Sequence, residues 1–246
     1  MRGLLRGLAR RFGYELWRLP AAPAPGDAIP DAGYYQPTFS PWLGYGDLRQ
    51  RLDRVRAHTL ISADRLYVLH QLALQARTRP GEFWECGVFR GGTALLLAEV
   101  LAEPHAAGGA EILRLFDSFA GMPETDPTRD LHRAGDFAHT SLEGVRTTVG
   151  HADIVRFHPG WIPQTFAGLE SSRIAFAHVD VDVYRSILDC CAFIVPRLVP
   201  GGFIVVDDYG YPSCPGARQA VDEYFRDRPE RPLVLATGQA VIFAAG

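Results

Sequence analysis

The sequence predicts a doubly wound α/β domain with a mostly parallel sheet of seven strands, preceded by a helical extension. Three observations carry that reading. Apolar runs of strand length alternate with amphipathic helical stretches five times before a closing hairpin, and alternation of this kind builds a parallel sheet covered on both faces. A glycine-rich turn, Glu85-Cys-Gly-Val-Phe-Arg-Gly-Gly-Thr93, joins the first core strand to a helix. Acids stand at the carboxyl ends of four of the five parallel strands, the edge where such sheets bind ligands.

Residues 1–45 are read as an N-terminal segment and 46–246 as the α/β domain. Arg2, Arg6 and Arg10 share helical spacing, with Leu5, Leu8, Phe12 and Leu16 on an adjacent face. Such a helix suits a membrane surface or a partner. Packing on its own domain or across a dimer is favoured, because Gly3, Gly7 and Gly13 weaken an isolated helix. Arginines interrupt any signal-peptide core. The Pro/Ala/Gly-rich stretch 20–45 carries Tyr34, Tyr35, Phe39, Trp42 and Tyr45, either to cover a substrate or to pin a linker.

Two helices are expected over 46–58 and 62–78, the second opened by Ser62. Strand one follows Pro80-Gly81 and ends at Glu85; the next helix starts near Thr93. Strand two (111–116) ends at Asp117. Residues 118–140 form a loop long enough to be functional or mobile. A helix near 141–149 leads to strand three (154–157), and a short helix over 164–170 to strand four (174–179), which ends at Asp180. A helix over 184–198 precedes strand five (202–206), which ends at Asp207-Asp208. Pro215 opens the last helix, and strands near 233–236 and 240–244 flank a Thr237-Gly238 turn.

Composition narrows the chemistry. The net charge of −3 gives no global signal for nucleic acid. All 25 basic residues are arginine, which removes Schiff-base chemistry and a lysine base. Cys86, Cys190, Cys191 and Cys214 show the spacing of neither a zinc site nor a disulfide framework. With no signal peptide, the expected compartment is the reducing cytoplasm. No apolar run reaches membrane-span length.

The turn reads G-x-x-x-G-G, not the dinucleotide G-x-G-x-x-G, and Glu85 precedes it. A carboxylate there repels a pyrophosphate and suits a cationic ligand. S-adenosylmethionine (SAM), with a sulfonium and an ammonium and no phosphate, fits; a plain glycine turn is the simpler alternative. Asp117, thirty positions after Gly87, is placed to accept hydrogen bonds from a ribose diol, or else caps its turn in water. Asp180, Asp207 and Asp208 would repel one another unless a cation sits between them. Mg²⁺ suits that oxygen-only set; otherwise Asp207-Asp208 simply ends a strand in solvent. His178 shares a strand face with Asp180 and reads as a hydrogen-bonded strand histidine. His139 and His158 sit on loops near the expected site as weaker candidates for a base.

The strand and helix order is the outline of a class I methyltransferase, sheet order 3-2-1-4-5-7-6 with strand seven antiparallel. Four motifs then resemble the macrocin O-methyltransferase family, over roughly residues 55–244: Glu85-Cys-Gly-Val-Phe-Arg-Gly-Gly, Phe116-Asp-Ser-Phe-Ala-Gly-Met-Pro, His178-Val-Asp-Val-Asp-Val-Tyr and Val205-Val-Asp-Asp-Tyr. The resemblance implies Mg²⁺-dependent methylation of a hydroxyl on a sugar or glycoside, SAM as methyl donor, and a homodimer. It implies Glu85, Gly87, Gly91, Asp117 and Ser118 as cofactor contacts, with Thr59 at the methionine end. It implies Asp180, Asp207 and Asp208 as metal ligands and Asp180 as the general base. A nicotinamide oxidoreductase is disfavoured by Glu85 and the glycine spacing. A SAM-binding scaffold and an enzyme acting on a catechol-like diol remain as alternatives.

Overall fold

The computed structural model describes residues 47–104 and 109–245, together with Leu5, Leu8, Arg11 and Phe12. Leu5, Leu8 and Arg11 are helical, and Leu5, Leu8 and Phe12 are exposed. The rest of the expected N-terminal helix and the aromatic 20–45 stretch lie outside the described residues.

The sheet has seven strands in the order β3-β2-β1-β4-β5-β7-β6. They are β1 Glu82–Cys86, β2 Leu113–Asp117, β3 Val155–Pro159, β4 Ile174–Val179, β5 Leu198–Val206, β6 Leu233–Val234 and β7 Ala240–Phe243. β1 to β5 pair in parallel, and β7 runs antiparallel to β5. The expected strand order and the reversed last strand are both present. The helices are α1 Leu48–Val55, α2 Ala63–Ala76, α3 Gly92–Ala102, α4 Leu142–Val149, α5 Tyr184–Ile194 and α6 Pro215–Phe225.

Alternation along β1 divides the core. Phe83 faces a layer that holds Leu66 and Leu69 of α2 and Leu96 and Leu97 of α3. Trp84 faces the opposite layer, with Ile187 of α5 and Val221 of α6. Glu85 falls in register with His178 of β4, two residues beyond Phe83 on the same face. The central strands are therefore buried on both faces, as their continuous apolar sequences require.

The start of α3 needs Gly91, whose φ of 84° is left-handed. A Cβ there would also press on Val145 and Val149 of α4 at 3.0 Å. Ser141 caps α4, accepting from the Gly144 amide at 3.1 Å. The 118–140 loop is folded on itself and tied down. The Met122 amide donates to the Asp136 carbonyl at 2.8 Å, and that of Gly135 to Met122 at 3.0 Å. Buried Asp130 accepts from the Tyr184 amide at 2.8 Å, fixing the loop to the start of α5. No helix among the described residues is long and apolar enough to cross a membrane.

Candidate active site

A cavity opens beyond the carboxyl ends of β1, β2 and β4, lined at its floor by Gly87, Val88, Asp117, Asp180 and Asp208. Gly87 has a φ of +86°, and a Cβ there would lie 1.8 Å from the Asp180 carbonyl oxygen. Its missing side chain thus lets the ends of β1 and β4 close together beneath the cavity. Asp117 is held by three backbone amides. Its Oδ2 accepts from Val88 at 2.7 Å and Phe89 at 2.9 Å, and its Oδ1 from Phe119 at 2.7 Å. The glycine turn therefore orients the β2 carboxylate. Ser118 and Thr59 also line the cavity. Ser118 donates to the Gly121 carbonyl at 2.7 Å, and Thr59 Oγ1 accepts from the Ile61 amide at 3.1 Å.

Two expected cofactor residues stand elsewhere. Glu85 and Gly91 are absent from the cavity lining. Glu85 is turned into the sheet and 1% exposed, and Gly91 faces α4. Strand alternation explains Glu85, because it shares the face of Phe83.

The strand-end acids fall into two groups. Oxygens of Asp180, Asp182 and Asp208 all lie within 4.8 Å of one another, and all three residues line the cavity. Burial, then the charges of Asp208 and Asp207, drive the Asp180 carboxyl well above the usual carboxylate range. Burial followed by Asp182 does the same to Asp208. Asp208 Oδ2 is buried and has no hydrogen-bond partner among the described residues. Asp182 has a left-handed φ of 56°, which aims its side chain back beside Asp208.

Asp207 also comes within 4.8 Å of Asp180, in a second group with His178, but its hydrogen-bonding and ion-pair partners are different. It is fully buried and paired with the Arg65 guanidinium of α2. Gln239 Nε2 donates to its Oδ1 at 2.8 Å, and His178 Nε2 lies 3.4 Å from the same oxygen. His178 Nδ1 faces Glu85 Oε1 at 3.1 Å. Both ring nitrogens meet carboxylates, an arrangement that favours the doubly protonated ring. Burial opposes that charge, but Asp207 and Glu85 outweigh it and push His178 up to about 10. Burial would raise Asp207 too, yet His178, Arg65 and Gln239 hold it below the usual carboxylate range. Burial raises Glu85.

Neither His139 nor His158 lines the cavity, and His158, expected on a loop, belongs to β3. His158 stacks on Phe116 at 4.6 Å, and His139 borders a separate surface hollow. The cavity lining includes Arg65, Met122, Phe137, Trp161 and Asp182 beyond the expected residues. Asp182 had a legible signal, standing two positions after Asp180 in a V-D-V-D-V run. Arg65 had none. All four cysteines are free and buried.

A Rossmann-like sheet with one reversed strand, a glycine turn under the cavity and a carboxylate anchored beside it defines a SAM-dependent O-methyltransferase, and the relatives agree. Residues 49–243 match the family model described as macrocin-O-methyltransferase (TylF). The chain belongs to that family. It is 36% identical over 183 residues to 8-demethyl-8-(2,3-dimethoxy-alpha-L-rhamnosyl)-tetracenomycin-C 4'-O-methyltransferase of Streptomyces olivaceus, covering 68% of this chain and 67% of that one. It is 34% identical over 188 residues to mycinamicin III 3''-O-methyltransferase of Micromonospora griseorubida, covering 70% and 71%. The solved structure of the O-methyltransferase NovP is similar, with a TM-score of 0.65, 28% identity, and 77% of this chain and 83% of that one covered.

Proposed function

We propose that this chain moves the methyl group of SAM to a hydroxyl of a sugar or glycoside, with a divalent cation, Mg²⁺ by its chemistry, at the cavity floor. The convergence of Asp180, Asp182 and Asp208 carries the reading. Asp180 and Asp208 keep raised protonation despite the nearby His178 and Arg65, and one Asp208 oxygen has no hydrogen-bond partner among the described residues. The nearby guanidinium of Arg65 is already paired with Asp207. An oxygen-only donor set of this kind fits a hard cation. The sugar acceptor rests on the rhamnosyl group in the name of the Streptomyces olivaceus relative.

Asp180, Asp182 and Asp208 would hold the cation, which when bound supplies Lewis-acid polarisation of a hydroxyl. Asp207, expected as a ligand, is assigned instead to hold Arg65 and His178 in place. Asp117, kept in position by the Val88, Phe89 and Phe119 amides, receives the ribose diol of the cofactor. Thr59 and Ser118 flank the cofactor along the cavity wall, with Gly87 allowing close approach. Asp180 accepts the hydroxyl proton at a carboxylate oxygen as the new O–CH₃ bond forms and the sulfonium is discharged. Holding the hydroxyl in line with the methyl group supplies much of the rate. The pinned 118–140 loop, through Met122 and Phe137, shields that line from water. A homodimer is retained from the resemblance; light scattering on the purified chain reads it directly.

Turnover of SAM with a panel of deoxysugar glycosides, in Mg²⁺ and in EDTA, tests the reading. Product that requires the cation is expected. Turnover indifferent to EDTA would remove the cation and leave Asp180 as an unassisted base. Preference for a simple catechol over every glycoside would move the acceptor class.

A further inference from the structure

Beside the oxygen set, three atoms of different metal-binding chemistry meet from three separate elements. His132 comes from the 118–140 loop, Asp182 from the turn between β4 and α5, and Cys214 from the cap of α6. His132 Nε2 lies 3.7 Å from Cys214 Sγ and 3.9 Å from Asp182 Oδ1. Cys214 Sγ donates to Asp182 Oδ1 at 3.3 Å. A tetrahedral Zn²⁺ with bonds of about 2.0–2.3 Å separates its ligand atoms by roughly 3.3–3.8 Å. The three donors already stand close to that spacing.

The outer side of His132 supports the same conclusion. Its Nδ1 faces Asp136 Oδ2 at 3.3 Å, and the Arg133 amide fixes that carboxylate at 3.0 Å. A carboxylate on the outer ring nitrogen sets the tautomer that turns the Nε2 lone pair inward, the usual second layer of a metal-bound histidine. The Phe137 ring packs on the imidazole at 5.3 Å and limits its rotation. Asp182 holds its carboxylate there from a left-handed backbone.

We infer that His132, Asp182 and Cys214 form a binding site for a thiophilic divalent cation of the Zn²⁺ class, joined through Asp182 to the oxygen-only set but distinct from it in donor chemistry. Nitrogen and sulfur donors select such an ion and disfavour Mg²⁺. Three protein ligands leave a fourth position for water. On binding, the Cys214 thiol releases its proton to solvent as the sulfur–metal bond forms, while His132 and Asp182 each donate a lone pair. The ion ties the 118–140 loop to the start of α6. The two sites share Asp182, but a sulfur-to-metal band reports on this site alone, so its failure is distinguishable from failure of the reaction assigned above.

Metal-free full-length protein titrated with Co²⁺, a spectroscopic stand-in for Zn²⁺, tests the site. A thiolate-to-Co²⁺ charge-transfer band in the near ultraviolet is expected, erased by Zn²⁺ and indifferent to excess Mg²⁺. Cys214→Ser abolishes the band, and Asp136→Asn weakens Co²⁺ binding about 10–100-fold. Asp208→Asn leaves the band in place. No band in the native chain, or a band that survives Cys214→Ser, overturns the inference. If Cys214→Ser does not fold, His132→Gln on the loop decides instead, since affinity unchanged by that substitution also overturns it.

Discussion

Two groups of carboxylates sit within one strand end of each other and live in opposite electrostatic conditions. Glu85 and Asp207 share a buried chain with His178, Arg65 and Gln239. Asp180, Asp182 and Asp208 face the cavity together, and Asp182 helps to raise both of the others. Both groups are acids at the carboxyl edge of a parallel sheet. What separates them is counter-charge. The better compensated pair is held within the scaffold, while the three at the cavity carry the carboxylate surplus that the proposed cation would offset.

The largest expected effect breaks the open group. Asp180→Asn removes the proposed base, and general-base contributions of about 10²–10⁴-fold set the scale of the lost turnover. The fold should tolerate it, and the metal-free melting temperature should rise as a repulsive charge goes. Assays of methyl transfer beside thermal melts separate the two readouts. A variant that loses activity because it unfolds would place Asp180 with the scaffold acids instead.

Asp207→Ala attacks the compensated group. It leaves Arg65 and His178 buried without their shared anion, and removing one partner of a buried pair costs about 3–5 kcal/mol. Denaturant unfolding reads the loss. If Asp207 were instead a cation ligand, the variant would keep its stability and lose only Mg²⁺ dependence.

The cation itself sharpens the contrast. Mg²⁺ at about 100 times its dissociation constant would stabilise the native protein by about 2.7 kcal/mol, and Asp208→Asn would remove most of that gain. The sign with pH follows from the raised folded pKa of Asp180 and Asp208. The folded state holds protons that the unfolded chain has released. The contribution of these two acids to metal-free stability is therefore fully present below the ordinary carboxylate range and is lost as pH climbs through the raised values. The Mg²⁺-induced rise in melting temperature should grow over the same interval. A rise that shrinks with pH would show that the three acids do not hold the ion.

Most of the sheet was legible in the sequence because buried parallel strands are continuous apolar runs. Ile174–Val179 occupies the very span its composition suggests, and Gly238, with a φ of 89°, turns the closing hairpin. Asp117 was legible for the same reason, since a strand followed by an acid points to the ligand edge. The division among the acids was not. Asp207 and Asp208 are adjacent just past the end of β5, where no strand alternation separates their roles. Which of them meets a counter-charge depends on Arg65, 142 positions away. Glu85 was turned inward by the alternation along β1. Cys214 and His132, 82 positions apart, show no ligand spacing because a loop, not a motif, brings them together.

The smallest effect per measured step, a slope with pH, probes whether the buried chain is as compensated as its geometry implies. His178 is raised from 6.5 to about 10 by Asp207 and Glu85 against the cost of burial. Its contribution to stability is fully present below pH 6.5, the ordinary value, and is lost as pH rises through about 10. Between those limits the unfolded chain lacks a proton that the folded chain retains, so stability falls by at most about 1.4 kcal/mol per pH unit. Melting temperature measured across that window with Mg²⁺ present should decline in the native protein, and the decline should flatten in His178→Gln. Gln can still hydrogen-bond but carries no charge, so Arg65 would then be the cation left facing Asp207. Equal slopes for the two proteins would mean that His178 is neutral in the fold, with Glu85 holding the proton between them. The inner group would then be joined by a neutral hydrogen bond at that link, and only Arg65 would separate it electrostatically from the open acids.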